Sequence, residues 1–417
     1  MKINLLHFRL LLIVVTMTWV VSEGDVETPF EVGTWANFCK GAVSHTFDDN
    51  TSNQLKKAVP LFNEKGLHMT IFTSQSFNPD WTGLKNAFEK GHEIGSHSIQ
   101  HNENAIDYAA SQKAIQDKIS GEQCVSYAYP YCKYPDGAMD VYVAARGCEG
   151  FPNPTTPNFG NIKSQITGTT QYSGVNDIQG MNNLVDVAIE KNGWSVYLHH
   201  GVEGDYQFAA TPLNLLKENL DYIDKNRDKV WCETFGNVAR YIKERDAASV
   251  KKKGSDDKSI TIKVTDDLDD KIYNYPLSIR LPVEDNWEKP SVKQADKEIE
   301  DSIVKVGGKD YLMFQAVPDG GDVVITFGVT TDVKNSVGFN GKAAPITRIR
   351  SLLVINRQQF SKNVSVTLFN LAGKTIACYK LKNNESIVDL NDITFSGSAF
   401  IAKVTDGVTT SSLLLHR

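Results

Sequence analysis

The chain has 417 residues, 41% hydrophobic and 23% charged, which is enough apolar material for packed cores and enough length for several domains. Its formal net charge of -6 supplies no basic field of the kind nucleic-acid binding leans on, and this argues against a nucleic-acid partner. Residues 1–22 read as an export signal. Lys2 and Arg9 carry positive charge, Leu10 to Val21 is apolar, and Val20-Val21-Ser22 offers small residues for cleavage. Twelve apolar residues fall short of the roughly 20 that span a bilayer, so no membrane span is expected once the signal is removed. The expected location is secreted or cell-surface, with the periplasm as the other compartment.

From Phe38 to about Asp246, β-like runs alternate with amphipathic helix patterns. Ala42–Phe47 reads as a strand. Thr51 or Ser52 then caps a helix with Leu55, Val59 and Phe62 on one face, closed by Gly66, and Leu67–Phe72 is the next strand. Trp81–Lys90 is predicted helical up to Gly91, followed by the short run His92–Ser96. Later, Ser195–His200 reads as a strand, and Pro212–Asn226 and Phe235–Arg245 as helices. This rhythm implies a parallel sheet with helical crossovers, an α/β barrel or a doubly wound sheet.

The texture changes in residues 247–258, where Lys251 to Lys258 has no apolar side chain and is expected to be a linker. Beyond it, Ile260–Val264, Leu277–Leu281, Tyr311–Val317 and Val323–Phe327 alternate and are separated by turns such as Pro318-Asp319-Gly320-Gly321, which predicts a β-sandwich over 259–335. Val364–Phe369, Thr375–Leu381 and Ala399–Val404 predict a second β set over 340–417. Six cysteines, Cys39, Cys124, Cys132, Cys148, Cys232 and Cys378, are free to pair in an exported chain. Cys124, Cys132 and Cys148 are close enough for a local bridge, and buried thiols are the alternative.

Three motifs could carry chemistry. Asp48-Asp49 follows the first strand, where alternation sends neighbouring side chains in different directions, so that one carboxylate can bind a cation while the other faces its water. Taken alone, an Asp-Asp beside Asn50 and Thr51 is more often a turn or cap. In Ser96-His97-Ser98-Ile99-Gln100-His101, two histidines four apart share one face of a helical turn and can converge on one cation. With one Asp oxygen they make the three-ligand shell, open to water, that catalytic zinc prefers. Trp194 to His200 is a strand ending in two histidines, of which alternation lets one face a site. Trp81, Tyr129, Tyr131, Tyr206 and Trp231 could stack on sugar rings, with core packing as the alternative reading for each.

Together these motifs resemble the polysaccharide deacetylases, the NodB-homology carbohydrate esterases of family four, over roughly Phe38 to Asp246. The resemblance implies a distorted (β/α) barrel of NodB type within residues 23–246, in an α/β fold followed by one or two small all-β sandwich domains. In that family Thr46-Phe47-Asp48-Asp49 supplies Asp48 as general base and Asp49 as metal ligand. His97 and His101 complete the ligand set for a divalent metal, zinc above all, with cobalt or nickel as alternatives. Ala128-Tyr129-Pro130-Tyr131 keeps the turn whose Tyr131 N–H helps hold an oxyanion but lacks the arginine that buttresses the base; Arg146, from the next segment, is the candidate substitute. Leu198-His199-His200 matches the motif that ends in the acid, which implies His200, with His199 as the fallback. Tyr129 and Trp231 are the expected substrate-binding aromatics. The implied reaction is hydrolysis of acetyl groups from an acetylated polysaccharide or oligosaccharide. The rival is a glycan-binding protein of the same fold with impaired catalysis, for which the absent arginine and the absent D-x-x-D-W motif speak.

The tail has its own resemblance. Val364 to Lys374, Ile387-Val388-Asp389-Leu390 and Phe400 to Val404 look like the C-terminal sorting domain of the type IX secretion system, which implies Bacteroidota and that secretion machinery as a partner. An accessory sandwich is the other reading.

Overall fold

The computed structural model describes residues 24–416, apart from 169–173, 206–207, 257, 285–286, 330–345, 350–351, 361–362, 371–372, 383–384 and 391–398. The proposed export signal and Tyr206 lie outside the described residues. The chain divides into two compact units, Met1–Glu284 with Lys289–Gly328, and Asp285–Glu288 with Val329–Arg417.

The first unit is built on eight parallel strands: β1 (Gly41–Phe47), β2 (Thr70–Thr73), β3 (Glu93–Ser96), β4 (Ser126–Ala128), β5 (Ala144–Arg146), β6 (Gln165–Ile166), β7 (Trp194–His199) and β8 (Val230–Cys232). Their order is β5-β4-β3-β2-β1-β7-β6, with β8 paired to the start of β1. The two ends of this sheet approach each other. Ile162 bridges Arg146 of β5, and three residues later Gln165 and Ile166 pair with β7, so one segment links both edges. A parallel sheet curled in this way, with helices on its outside, fits the NodB type of (β/α) barrel.

All seven residues of β1 are buried, as a strand covered on both faces requires. Val43 and Phe47 point to the helical layer, where they share a core with Val59, Phe62 and Leu184. The alternate residues Ser44 and Thr46 point the other way, so the parity of the strand aims Asp48 inward. Gly41 starts β1 because a Cβ there would lie 2.4 Å from the carbonyl oxygen of Ala188, on the helix packed against it.

Among the described residues there are six α-helices: α1 (Val59–Lys65), α2 (Trp81–Phe88), α3 (Tyr108–Gln116), α4 (Ile178–Lys191), α5 (Leu213–Lys225) and α6 (Phe235–Ala247). α4 shows the logic. Asp177 caps it by accepting from Gly180 N at 2.7 Å, and Met181, Leu184, Val185 and Ala188 recur at helical spacing on its buried face. The helix expected from Thr51 is irregular in its first turns. A π turn over Gln54–Ala58 precedes α1, and it turns the Gln54 side chain inward.

One expectation is corrected here. Residues 249–255, within the stretch read as a linker, form a strand, β9 (Ser249–Ser255), parallel to Asp25–Val26 and antiparallel to β10 (Ser259–Thr265). Its lysines are exposed and only Val250 is buried, so the hydrogen-bond ladder holds the strand without the apolar alternation that would have revealed it. Two further sheets, antiparallel except for the pairing of β9 with Asp25–Val26, complete the first unit. One runs through β9, β10 and Val323–Val329; the other joins β11 (Leu277–Pro282) to Lys309–Ala316 and to Glu31–Val32. The segment before the barrel therefore belongs to the same β structure as the segment after it.

In the second unit, a three-stranded sheet (Ile346–Ile349, Leu352–Ile355, Ile387–Asp389) and a four-stranded sheet (Val364–Asn370, Thr375–Leu381, Ala399–Thr405, Thr410–His416) share one apolar cluster that includes Leu353, Val366, Leu368, Phe400 and Val404. Among the described residues no helix is long and apolar enough to cross a membrane.

The first unit also buries carboxyls remote from Asp48. Glu244 is fully buried on α6, and both of its oxygens accept from Tyr275 N. Burial pushes its carboxyl up to about 8, and that of Glu122 up to about 7 with help from Glu93. A carboxyl raised in the folded state favours folding while it is protonated, and the benefit is lost as pH rises from the unfolded value toward the folded one. Stability is therefore expected to fall between pH 5 and pH 9 by an amount on the order of a few kcal/mol. Glu244→Gln is expected to flatten that slope in denaturant unfolding measured across the range.

Candidate active site

The strand ends of β1, β3, β5 and β7 meet around Asp48 and Asp49, where parallel α/β barrels carry their sites. Asp48 is anchored at both ends. Its N–H donates to His199 O at 2.9 Å, and its Oδ2 accepts from Arg146 Nη2 at 2.5 Å. Arg146 is 1% exposed and stands at the end of β5, four strands from β1 by way of β2, yet the curl of the sheet brings its guanidinium to the carboxylate. Burial works to raise the Asp48 carboxyl, but Arg146, His97 and His200 hold it below the usual carboxylate range.

Asp49 should by alternation face away from Asp48. A left-handed backbone, φ 69° at Asp49 and 42° at Asn50, turns it back toward the same space. There its Oδ1 lies 3.6 Å from His97 Nε2 and 3.4 Å from His101 Nε2. Burial and the Asp48 charge push its carboxyl up to about 7.

The two histidines converge by a different route from the one expected. Residues 97–101 form a loop, not a helical turn, with φ 62° at Ser98 and 49° at His101. His97 Nδ1 lies 2.8 Å from Ala128 O, and since a carbonyl can only accept, that nitrogen carries the proton and leaves the Nε2 lone pair free. Burial lowers the His97 imidazole to about 4 and also lowers that of His101, so both are neutral and able to ligate at neutral pH. Asp49, His97 and His101 offer three ligand atoms within 4.8 Å of one another. Two imidazoles and a carboxylate suit a divalent ion of the zinc type. The orphaned, buried Oδ1 of Asp49 marks where one more charge belongs.

His199 and His200 separate cleanly. His199 points into the core, with Nδ1 2.6 Å from Thr167 Oγ1 and Nε2 3.0 Å from His45 Nδ1. His200 faces the site: Asp48, Arg146 and His101 all act on its charge, although burial dominates and lowers it to about 4. Among the described residues its buried Nδ1 has no hydrogen-bond partner. Gln54, which sequence reasoning missed, ties the two strand ends together. Its Nε2 donates to Asp48 O at 2.5 Å and to His200 O at 2.9 Å. A single buried glutamine carries no pattern that would have pointed to it.

Tyr131 closes the arrangement. It has φ 54° and Cys132 φ 55°, two successive left-handed residues flanked by Pro130 and by the Cys132–Cys148 disulfide. That bridge joins the Tyr131 turn to the residues just after Arg146, while Cys124 remains a buried thiol. Among the described residues the Tyr131 N–H has no hydrogen-bond partner, so it is available to a substrate oxygen.

The two aromatics expected to bind substrate are elsewhere. Trp231 pairs with Ala42 at the start of β1, roughly 20 Å along the strand from Asp48, and packs on Tyr241 and Tyr275. Tyr129 is buried against Tyr127 and Tyr134, with its hydroxyl donating to Gly160 O at 3.0 Å. Both serve the core: Tyr129 follows a strand parity opposite to that of Arg146, and Trp231 shares the parity of Asp48 but lies at the far end of the sheet.

Residues 36–146 match the family model for polysaccharide deacetylase. A gellan lyase from a Bacillus species is 31% identical over 336 residues, 74% of this chain; the chain spans 13% of that relative's length. A family 4 acetyl xylan esterase from Clostridium thermocellum, solved with a cobalt ion, is 16% identical, covers 47% of this chain and 89% of its own, and superposes with a TM-score of 0.34. The catalytic domain of a peptidoglycan N-acetylglucosamine deacetylase from Eubacterium rectale is 14% identical over 47% of this chain and 89% of its own, with a TM-score of 0.32.

Proposed function

We propose that this polysaccharide deacetylase domain removes acetyl groups from a glycan outside the cell with the help of a divalent metal. The observation that carries the reading is the pairing of two functions at adjacent residues: Asp49 with His97 and His101 around one point, and Asp48 beside it, held anionic by Arg146. Asp49, His97 and His101 would hold the metal, which supplies Lewis acidity toward a carbonyl and toward water.

The chain's own residues then divide the work. Asp48 accepts the proton of the attacking water, and Arg146 fixes its orientation and keeps it ionised. The Tyr131 N–H donates to the acetyl oxygen as negative charge develops there, a contribution often worth about 3 kcal/mol. His200, neutral at rest, takes up the proton that Asp48 drew from the water and passes it to the departing amine or alcohol.

Export through the N-terminal signal, and a role for the second unit as a type IX sorting domain, belong to the same proposal. The second reading, a glycan-binding module with impaired catalysis, draws on the gellan lyase likeness, which covers more of the chain than the deacetylase match does. Acetate release from acetylated xylan, chitin oligomers and peptidoglycan separates the two. The proposed activity predicts release that a chelator abolishes and added zinc or cobalt restores; glycan binding with no release from any of the three would overturn it.

A further inference from the structure

We propose that the Cys132–Cys148 disulfide is a positioning element of the site: it holds the Tyr131 N–H where the acetyl oxygen will stand, so that the domain works fully only in its oxidised form. The proposal rests on the deacetylase reading above. Little else holds the Tyr131 turn. Tyr131 and Cys132 are both left-handed, at φ 54° and 55°, a conformation that is costly without glycine and persists only where the surroundings impose it. Tyr131, Lys133, Tyr134, Asp136 and Gly137 are all exposed, so most of the segment has no core to rest on. Its own hydrogen bonds are long: Cys132 N–H donates to Tyr129 O at 3.3 Å and Lys133 N–H to Pro130 O at 3.1 Å.

The other end of the bridge is firm. Cys148 is buried and follows Arg146, the last residue of β5, by two positions. Between them Gly147 is bonded on both sides: its N–H donates to Ile162 O at 2.8 Å and its carbonyl accepts from Ser164 Oγ at 2.7 Å. Tyr129 N–H donates to Arg146 O at 3.1 Å, which fixes the chain just before the turn. The bridge therefore ties an exposed turn to a strand end that the sheet already holds. Arg146 reaches Asp48 through its own side chain, whether or not the bridge is closed. Opening the disulfide thus frees the Tyr131 turn and leaves the base, its arginine and the three proposed ligands where they are.

A donor aimed at charge that develops only in the transition state acts on kcat and leaves substrate binding nearly alone, and its worth depends on being held in place beforehand. Loss of the bridge removes that preorganisation. The bond opens when a water-soluble phosphine attacks one sulfur: phosphorus is oxidised to the phosphine oxide with the oxygen of one water, and the two electrons and both water protons end on the sulfurs as two thiols. Glutathione disulfide closes it again by thiol–disulfide exchange and leaves as two glutathiones. Cys132 is the more exposed of the two cysteines and offers the side of approach.

The test measures acetate release and zinc content for the zinc-loaded wild type, for the same protein after the phosphine and after reoxidation, and for the double variant Cys132→Ser, Cys148→Ser. Assays run below the unfolding midpoint of the double variant, which the lost cross-link lowers. The reduced wild type and the double variant are expected to lose about 10-fold to 100-fold in kcat with KM and zinc content unchanged, and reoxidation to restore the wild type alone. Undiminished kcat in the reduced wild type or the double variant, or zinc lost in step with kcat, would overturn the proposal. If the oxidised wild type releases no acetate from any of the three glycans, the deacetylase reading fails instead. Amide hydrogen exchange then decides the bridge, which stands only if the Cys132 and Lys133 amides exchange about tenfold faster or more without it while those of Tyr129 and Gly147 keep their protection.

Discussion

Asp48→Asn is expected to lower acetate release by about 100-fold to 10,000-fold while metal content stays at the wild-type level. The reasons are geometric. The three proposed ligand atoms belong to Asp49, His97 and His101, and none of them moves when the neighbouring carboxylate becomes an amide. An asparagine at 48 can still accept from Arg146 through its carbonyl oxygen, so the strand end keeps its shape, but it has no lone pair basic enough to take a proton from water. Metal analysis and turnover on the same preparation check both halves. Near-normal turnover would remove Asp48 from the role of base.

Arg146→Met is expected to cost more than activity. Its guanidinium is buried against Asp48 and Phe72, with Nη1 near Gly147 O and Ser164 Oγ at 3.4 Å each. Taking away one member of a buried pair leaves the other charge uncompensated, a loss of about 3–5 kcal/mol. The pH dependence should change sign as well. With Arg146 present the Asp48 carboxyl sits below its unfolded value, so its contribution is complete above the ordinary aspartate range and fades as pH falls through the lowered value. Without Arg146 burial prevails, the carboxyl rises above its unfolded value, and the contribution fades as pH rises. Denaturant unfolding from about pH 2 to about pH 8 reads both arms, and parallel slopes for wild type and variant would contradict it.

What the sequence could announce here was local. Thr46-Phe47-Asp48-Asp49 and His97 to His101 are short patterns whose residue types name their chemistry, and the alternation of β7 already separated His199 from His200. What it could not announce depended on distant closure. Arg146 reaches Asp48 only because Ile162 and Gln165 link the two edges of the sheet, and no periodicity encodes that curl. The backbone twists at Asp49, Ser98 and His101 are carried by residues other than glycine, so the convergence of the ligand atoms rests on left-handed conformations with no compositional mark. Tyr129 and Trp231 misled for a related reason. An aromatic near a motif in sequence can face the other side of its strand, as Tyr129 does, and one on the inward face can lie at the far end of the sheet, as Trp231 does. The lysine-rich β9 reads as a linker in sequence because its pairing is a matter of backbone hydrogen bonds, which side-chain polarity does not report.

Zinc titration of chelator-stripped protein by calorimetry goes to the centre of the account. One site per chain is predicted for the wild type and for Asp48→Asn, none for His97→Ala, and acetate release should return in step with occupancy of that single site. Full turnover in the stripped chain, or unaltered zinc binding by His97→Ala, would contradict it.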